Sequence, residues 1–274
     1  MQAAAGEFVF VRLAVSILFA GLAAASPARA EKPVYMFGLG PAQTTRFEGS
    51  DEYREVPFVF AQIRWGSRYF VGTDGGGLRA DVVGWRFIEA GPEVSFRFGR
   101  GGDSGTDDPV LDLLPEVERS IEAGGFFAMN FPAPFTPKIR DALTLDGSYV
   151  EDVTSGHDGY LARVSLRYRG KLSRRLAIQA GPFATYGSEE FMNAFYDVTP
   201  EASLASGLDA FDADEGWKDY GGRATVVIGL WGKWRLITTG TYRHYINDAA
   251  ESPIVAERGE RGVWFGGGAI SRSF

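Results

Sequence analysis

The stretch GYLARVSLRYRG at residues 159–170 decides the fold. Tyr160, Ala162, Val164, Leu166 and Tyr168 fall on one face of an extended chain, and Arg163, Ser165, Arg167 and Arg169 on the other. Period-two alternation over about ten residues, with an aromatic at each end of the apolar face, is what a strand crossing ~25 Å of hydrocarbon requires. A soluble β-sandwich also alternates. Its dry core has no place for three unpaired arginines on one strand, whereas the hydrated interior of a barrel does.

The same arithmetic recurs along the chain. Tyr220, Gly222, Ala224, Val226, Ile228 and Leu230 alternate against Arg223, Thr225 and Val227. Leu143, Leu145, Gly147 and Tyr149 oppose Thr144, Asp146 and Ser148. From 116 to 129 the pattern puts Val117, Ile121, Ala123, Gly125, Phe127 and Met129 outside and Glu116, Glu118, Ser120 and Glu122 inside, with Arg119 a misfit on the lipid side. Strands are predicted near 33–41, 55–65, 67–73, 77–83, 85–98, 116–130, 139–150, 159–170, 174–186, 217–230, 233–245 and 261–274. The fold class that follows is all-β: a transmembrane antiparallel up-and-down β-barrel of about 12 strands, with 10 to 14 possible. Closure leaves no sheet edge, so every backbone donor and acceptor in lipid finds a partner.

Composition fits. Hydrophobic residues make up 45% of the chain, an ordinary fraction for a soluble protein, so the apolar surface has to come from alternation. No internal apolar run reaches the ~18 residues of a transmembrane helix. There is no cysteine, which excludes a disulfide framework, a thiolate metal site and a lipoprotein anchor. Arg12, the apolar run Leu13–Ala25 and the A-x-A pattern Ala28-Arg29-Ala30 read as a signal peptide over residues 1–30 cleaved after Ala30, leaving 31–274 as the barrel domain. Removing residues 1–30 takes away Arg12, Arg29 and Glu7, so the net charge of −7 becomes −8, which argues against nucleic acid as a partner.

With the N-terminus in the periplasm, connections alternate between short turns and longer outer loops. The short set is Gly66-Ser67, Val83-Gly84, the proline-rich Phe131–Lys138, Gly170–Ser173 and Trp231–Lys233. The other set is 41–54, 74–76, 99–115, 150–158, 187–216 and 246–260, in which Asp74-Gly75-Gly76-Gly77 reads as a hairpin turn. The 187–216 loop holds eight carboxylates and no lysine or arginine, an acidic face suited to divalent cations, basic peptides or cationic solutes, or simply to solvent. Within it, Thr199-Pro200-Glu201 is an N-cap with proline at the first helical position, and Gly207 closes the turn. A helix there is expected to fold inward as a partial plug. The last strand ends in Phe274, in register with Ile270 and Trp264, the aromatic terminus common in outer-membrane proteins.

Phe47-Glu48-Gly49-Ser50-Asp51-Glu52-Tyr53-Arg54, followed by Pro57, resembles the Y-x-G-S-D-x-Y-R-x-x-P motif of the MipA/OmpV family, with Phe47 where tyrosine is usual. Val198-Thr199-Pro200-Glu201 through Ser206-Gly207-Leu208, and Asp248-Ala249-Ala250-Glu251-Ser252-Pro253-Ile254-Val255, agree as well, as do His157-Asp158-Gly159-Tyr160 and Gly181-Pro182-Phe183. The resemblance implies an outer-membrane location, with lipid and lipopolysaccharide as surroundings. It further implies a non-catalytic scaffold joining a periplasmic lytic transglycosylase to a murein synthase at the cell envelope. All three motifs lie largely in the predicted outer loops, and Gly49, Gly207 and Pro253 are residue types that turns demand, which favours a structural role for them.

No catalytic, cofactor or metal site is expected. The two histidines are His157, beside Ser155 and Asp158 in a short loop, and His244, facing the same way as Tyr242 near a strand end. Adjacent positions on a turn do not supply the geometry of a Ser-His-Asp relay. The competing function is a narrow channel for small solutes, lined by inward Arg163, Arg167, Arg169, Arg175, Arg223, Arg235 and Arg243. A barrel of about 12 strands lies between the packed 8-stranded and the water-filled 16- to 18-stranded classes. The same arginines can instead pair with Glu116, Glu118, Glu122 and Asp146, which would offset the cost of burying either sign and favours a packed or narrow interior.

Overall fold

A computed structural model describes residues 32–66, 69–101, 106–132 and 141–274. The predicted signal peptide and most of the turn Phe131–Lys138 lie outside the described residues. Twelve antiparallel strands close into one barrel: β1 (Val34–Thr45), β2 (Tyr53–Trp65), β3 (Tyr69–Asp74), β4 (Gly77–Asp81), β5 (Ile88–Arg97), β6 (Ser120–Pro132), β7 (Asp141–Asp152), β8 (Tyr160–Gly170), β9 (Leu176–Gly187), β10 (Gly216–Gly229), β11 (Trp234–Tyr245) and β12 (Gly262–Ser273). Each strand pairs with its sequence neighbours, and β1 pairs with β12 from Met36 opposite Ser273 to Gln43 opposite Gly266.

The alternation read in the sequence is the alternation of the barrel. Val164, Leu166, Leu145, Tyr149, Tyr220 and Ile228 project outward and are exposed, while Thr144 and Asp146 are buried inside. Outward aromatics gather at both rims, the girdles expected where rings meet the headgroup layer. One girdle contains Tyr149 beside Tyr160, and Tyr242 beside Trp264, with centroids 5.0 and 4.6 Å apart. The other contains Tyr35, Trp231 and Phe274. Predicted parity also holds, because both ends of the barrel strand order and the short turns lie at one end, and the longer segments, with the Gly75-Gly76 turn, at the other. We call these the terminal end and the loop end.

Three boundaries differ from the sequence reading. β1 runs on to Thr45, with Pro41 directly opposite Pro57 and the ladder continuing through both. The β4–β5 connection is longer than predicted, because the Asp81 carboxylate accepts the N–H groups of Val83 and Ala90 at 3.1 Å each and holds residues 82–87 out of the ladder. β6 starts at Ser120, not Glu116, which corrects the facing of the residues before it. Glu116 and Glu118 are exposed at the loop end instead of lining the lumen, and Val117 is buried there instead of facing lipid. Once the chain leaves the ladder, period-two facing no longer applies, and Val117 follows its hydrophobicity into the loop core. Arg119 likewise precedes the strand and is exposed.

Candidate functional site

The loop end is not an open mouth. Ser188 caps a helix, α1 (Glu189–Tyr196), by accepting the Phe191 N–H. On that helix Phe191, Met192, Phe195 and Tyr196 fall one turn apart on one face, and all four are fully buried. Glu189 and Glu190 occupy its first turn, where carboxylates complement the helix dipole. The predicted helix follows as α2 (Pro200–Ser206), with the Thr199 side chain accepting the Ala202 N–H and Gly207 in the left-handed conformation at φ 79°. Two short helices, α3 (Asn247–Glu251) and α4 (Pro253–Ala256), come from the last loop.

These segments build two apolar clusters inside the rim. One unites the buried face of α1 with Val117, Val150, Leu161, Tyr245, Ala249, Val255 and Val263. The other unites Phe47, Leu111, Leu114, Val198, Ala202, Leu208 and Ile254. Each large side chain buried this way contributes roughly 1.5–3 kcal/mol, an upper figure because the unfolded chain already hides some surface. Arg100 seals the back of α1. It is 2% exposed and donates to the carbonyl oxygens of Phe195 at 2.6 Å and Ala194 at 3.3 Å, the C-terminal groups a helix leaves unpaired. Burial pulls its guanidinium down to about 10, so it stays charged at neutral pH.

Beneath the apolar layer sits a charged hub centred on Glu48. Its carboxylate accepts from Lys218 Nζ, from Arg97 Nη1 at 2.9 Å and from Arg243 Nη1 at 2.9 Å, with the Tyr245 hydroxyl at 3.4 Å. Glu48 is 7% exposed and Lys218 1%. Burial pushes the Glu48 carboxyl up, but the charges of Lys218, Arg243 and Arg97 together outweigh it and hold the group well below the usual carboxylate range. Lys218 points inward only because a β-bulge lies between Trp217 and Asp219, where the register against β9 shifts. A bulge turns two successive side chains to one face, so Lys218 and Asp219 both enter the lumen while Trp217 stays outside. Sequence alternation alone places Lys218 on the lipid face.

Midway down the lumen Arg79 bridges Asp74 at 3.1 Å, Glu93 at 2.9 Å and Asp146 at 2.9 Å. Arg167 joins Asp146 at 3.0 Å, and Arg223 joins Asp74 at 2.8 Å. The interior pairing expected from the sequence is present in part. Arg167, Arg223 and Arg243 pair with acids, joined by Arg79 and Arg97, through Asp146 and Glu122 with Asp74, Glu93, Glu48 and Asp219 in place of Glu116 and Glu118. Among the described residues no ion pair holds Arg163, Arg169, Arg175 or Arg235. Below this layer the terminal end opens into a cavity of about 360 Å³. His157 is buried in the wall of the plug, its Nδ1 accepting the Gly159 N–H at 3.1 Å and its Nε2 lying 3.2 Å from Glu122 Oε1, with Phe191 packed on its ring. His244 lies among Tyr220 and Tyr242 in the rim girdle. Neither imidazole is placed with Ser155 or Asp158 as a relay.

The family model described as MltA-interacting protein MipA matches residues 37–274, nearly the whole chain. The chain belongs to the MipA family. Comparison with curated proteins gave no match. Among solved structures, the chain is similar to an outer-membrane channel from Pseudomonas putida F1, at 12% identity over 91% of this chain and 100% of that one, with a TM-score of 0.46. It is also similar to the monoaromatic hydrocarbon channel CymD, at 12% identity, 89% and 88% coverage and a TM-score of 0.37. A third is OmpT of Vibrio cholerae, at 8% identity, 91% and 100% coverage and a TM-score of 0.35.

The three MipA motif segments meet in the plug. Phe47 shares a cluster with Val198, Leu208 and Ile254. The Gly49 N–H donates to the Tyr245 hydroxyl at 3.0 Å, and its carbonyl accepts the Glu260 N–H at 3.1 Å. Gly49 has φ 87°, and a β-carbon there would lie 2.6 Å from Val255 Cγ2, so both the backbone and the space demand glycine. Ser252 Oγ donates to the Tyr196 carbonyl, tying the third motif to the end of α1.

Proposed function

We propose that this MipA-family barrel is a sealed, non-catalytic outer-membrane protein that works through contacts at its terminal end, as a scaffold for murein-remodelling enzymes in the periplasm. The observation that carries the reading is the plug: two apolar clusters and the Glu48 hub fill the loop end. In the reading the chain is exported behind residues 1–30, cleaved after Ala30 and assembled in the outer membrane of a Gram-negative envelope, with lipopolysaccharide around the loop end. The family's description as interacting with MltA, a lytic transglycosylase, supplies the partner class, with a murein synthase as the second enzyme joined. Fold alone does not assign a task. Crosslinking in intact cells followed by affinity capture is expected to recover a lytic transglycosylase; recovery of no murein enzyme would overturn the scaffold role.

The second reading, a narrow channel for small solutes, is favoured by the cavity at the terminal end and by the arginines that line the lumen. It requires the plug to move. Planar-bilayer recordings of the refolded protein separate the two: the sealed barrel gives no conductance steps, and the channel gives them.

A further inference from the structure

The cavity at the terminal end has a chemistry of its own. It is walled by apolar side chains including Met36, Phe60 and Ile237, with Gln62 beside them and the guanidinium groups of Arg64 and Arg235 on its lining. Among the described residues no carboxylate lines it. Higher in the lumen Arg79, Arg97, Arg167, Arg223 and Arg243 are bridged to acids, whereas among the described residues neither Arg64 nor Arg235 pairs with a carboxylate. Arg235 is held in place: Nη1 donates to Ser273 Oγ and rests 3.7 Å from Met36 Sδ, two residues that face each other across β1 and β12. At about 360 Å³ the cavity falls within the range of small-molecule sites, which are mostly apolar with a few placed polar groups.

We propose that this vestibule binds a small amphipathic anion, an oxyanion head on a short apolar tail, with the head against Arg64 and Arg235 and the tail against Phe60 and Ile237. A guanidinium offers a fork of N–H donors that fits a planar oxyanion. Pairing a cation that has no protein counter-charge adds a charge-assisted bond without breaking one. The apolar walls then discriminate in favour of an organic anion over an inorganic one. The site does not depend on a murein-enzyme partner.

The test is fluorine NMR of 4-(trifluoromethyl)benzoate titrated into the full barrel in phosphatidylcholine nanodiscs, with empty nanodiscs as the blank. Saturable line broadening is expected in the loaded discs only. The neutral amide, 4-(trifluoromethyl)benzamide, is expected to bind roughly tenfold more weakly, the scale of one charge-assisted hydrogen bond. The double variant Arg64→Gln, Arg235→Gln is expected to lose a similar factor for the benzoate and little for the benzamide. Equal broadening in empty discs, equal affinity for acid and amide, or a folded double variant that binds the benzoate undiminished would each overturn the proposal. Should the variant fail to fold, the acid-to-amide comparison on the unaltered protein decides.

Discussion

Replacing Glu48 by alanine removes the one carboxylate that Lys218, Arg97 and Arg243 share. Three cations then have two acids left between them, Asp219 for Lys218 and Arg243, and Glu122 for Arg97. Deleting one partner of a buried ion pair costs about 3–5 kcal/mol, and because each cation keeps one acid the lower end, about 3 kcal/mol, applies. The hub ties the β1–β2 loop to β5, β10 and β11, so the loss falls on the plug and not on the strand ladders. At 1.4 kcal/mol per decade, the loosened mouth becomes roughly a hundredfold more populated. Hydrogen exchange reads this directly. The Met192 and Asp197 amides, bonded to Ser188 and Asn193 carbonyls, are expected to exchange about a hundredfold faster in Glu48→Ala, while amides in β8 keep their wild-type rates. Acceleration of less than threefold in the plug, or an equal acceleration in β8, would refute the reasoning that the hub is a local latch.

Glu48 also sets a pH response. Its folded pKa is depressed, so its contribution is complete above the ordinary glutamate value of 4.5 and is lost as pH falls from there toward the folded pKa. Plug exchange is therefore expected to be flat from pH 7 to 5 and to quicken below pH 4.5, after correction for intrinsic rates, with a smaller acid limb in Glu48→Gln, whose hub keeps only Asp219 and Glu122 to titrate. Phe191→Ala leaves a void against His157 and Phe195 and is expected to cost about 3–5 kcal/mol in the plug; bilayer recordings should change from silent to stepped, and continued silence with unchanged exchange would count against a packed seal. Gly49→Ala forces a β-carbon into Val255 at a positive φ and is expected to cost about 1–3 kcal/mol, read as a drop in the thermal midpoint of plug protection.

Strand facing was legible because period two is a property of every ladder residue, and a lumen that tolerates arginine leaves a clear signature in Arg163, Arg167 and Arg169. The α2 helix was legible too, since Thr199, Pro200 and Gly207 are local signals. Other features depended on tertiary context. Helix α1 carries a Ser188 cap and apolar residues at 191, 192, 195 and 196, a helical spacing that its eightfold-acidic loop masks when read for charge. Lys218 required a bulge, which no alternation rule contains. Glu116 and Glu118 were assigned by extending a strand past its end. The Glu48 hub joins residues far apart in sequence, and a lone glutamate in a loop motif gives no sign of what it will meet.

The motif segments bear on where a partner binds. Phe47, Gly49, Val198, Leu208, Ser252, Ile254 and Val255 are turned toward one another or toward Tyr196 and Tyr245, so the motifs record how the mouth is closed. Side chains used up in mutual packing are not available to recognise an enzyme, so the scaffold proposal puts the recognising surface elsewhere, among the turns of the terminal end. Lys171 and Trp231 are exposed there, and Leu204, 90% exposed, stands on the plug at the opposite end. A photo-crosslinking residue placed at 171 or 231 in cells is expected to capture the murein enzyme, and one placed at 204 to capture none. Adducts from 204 with silence at 171 and 231 would move the interaction to the plug and make its motifs the binding surface after all.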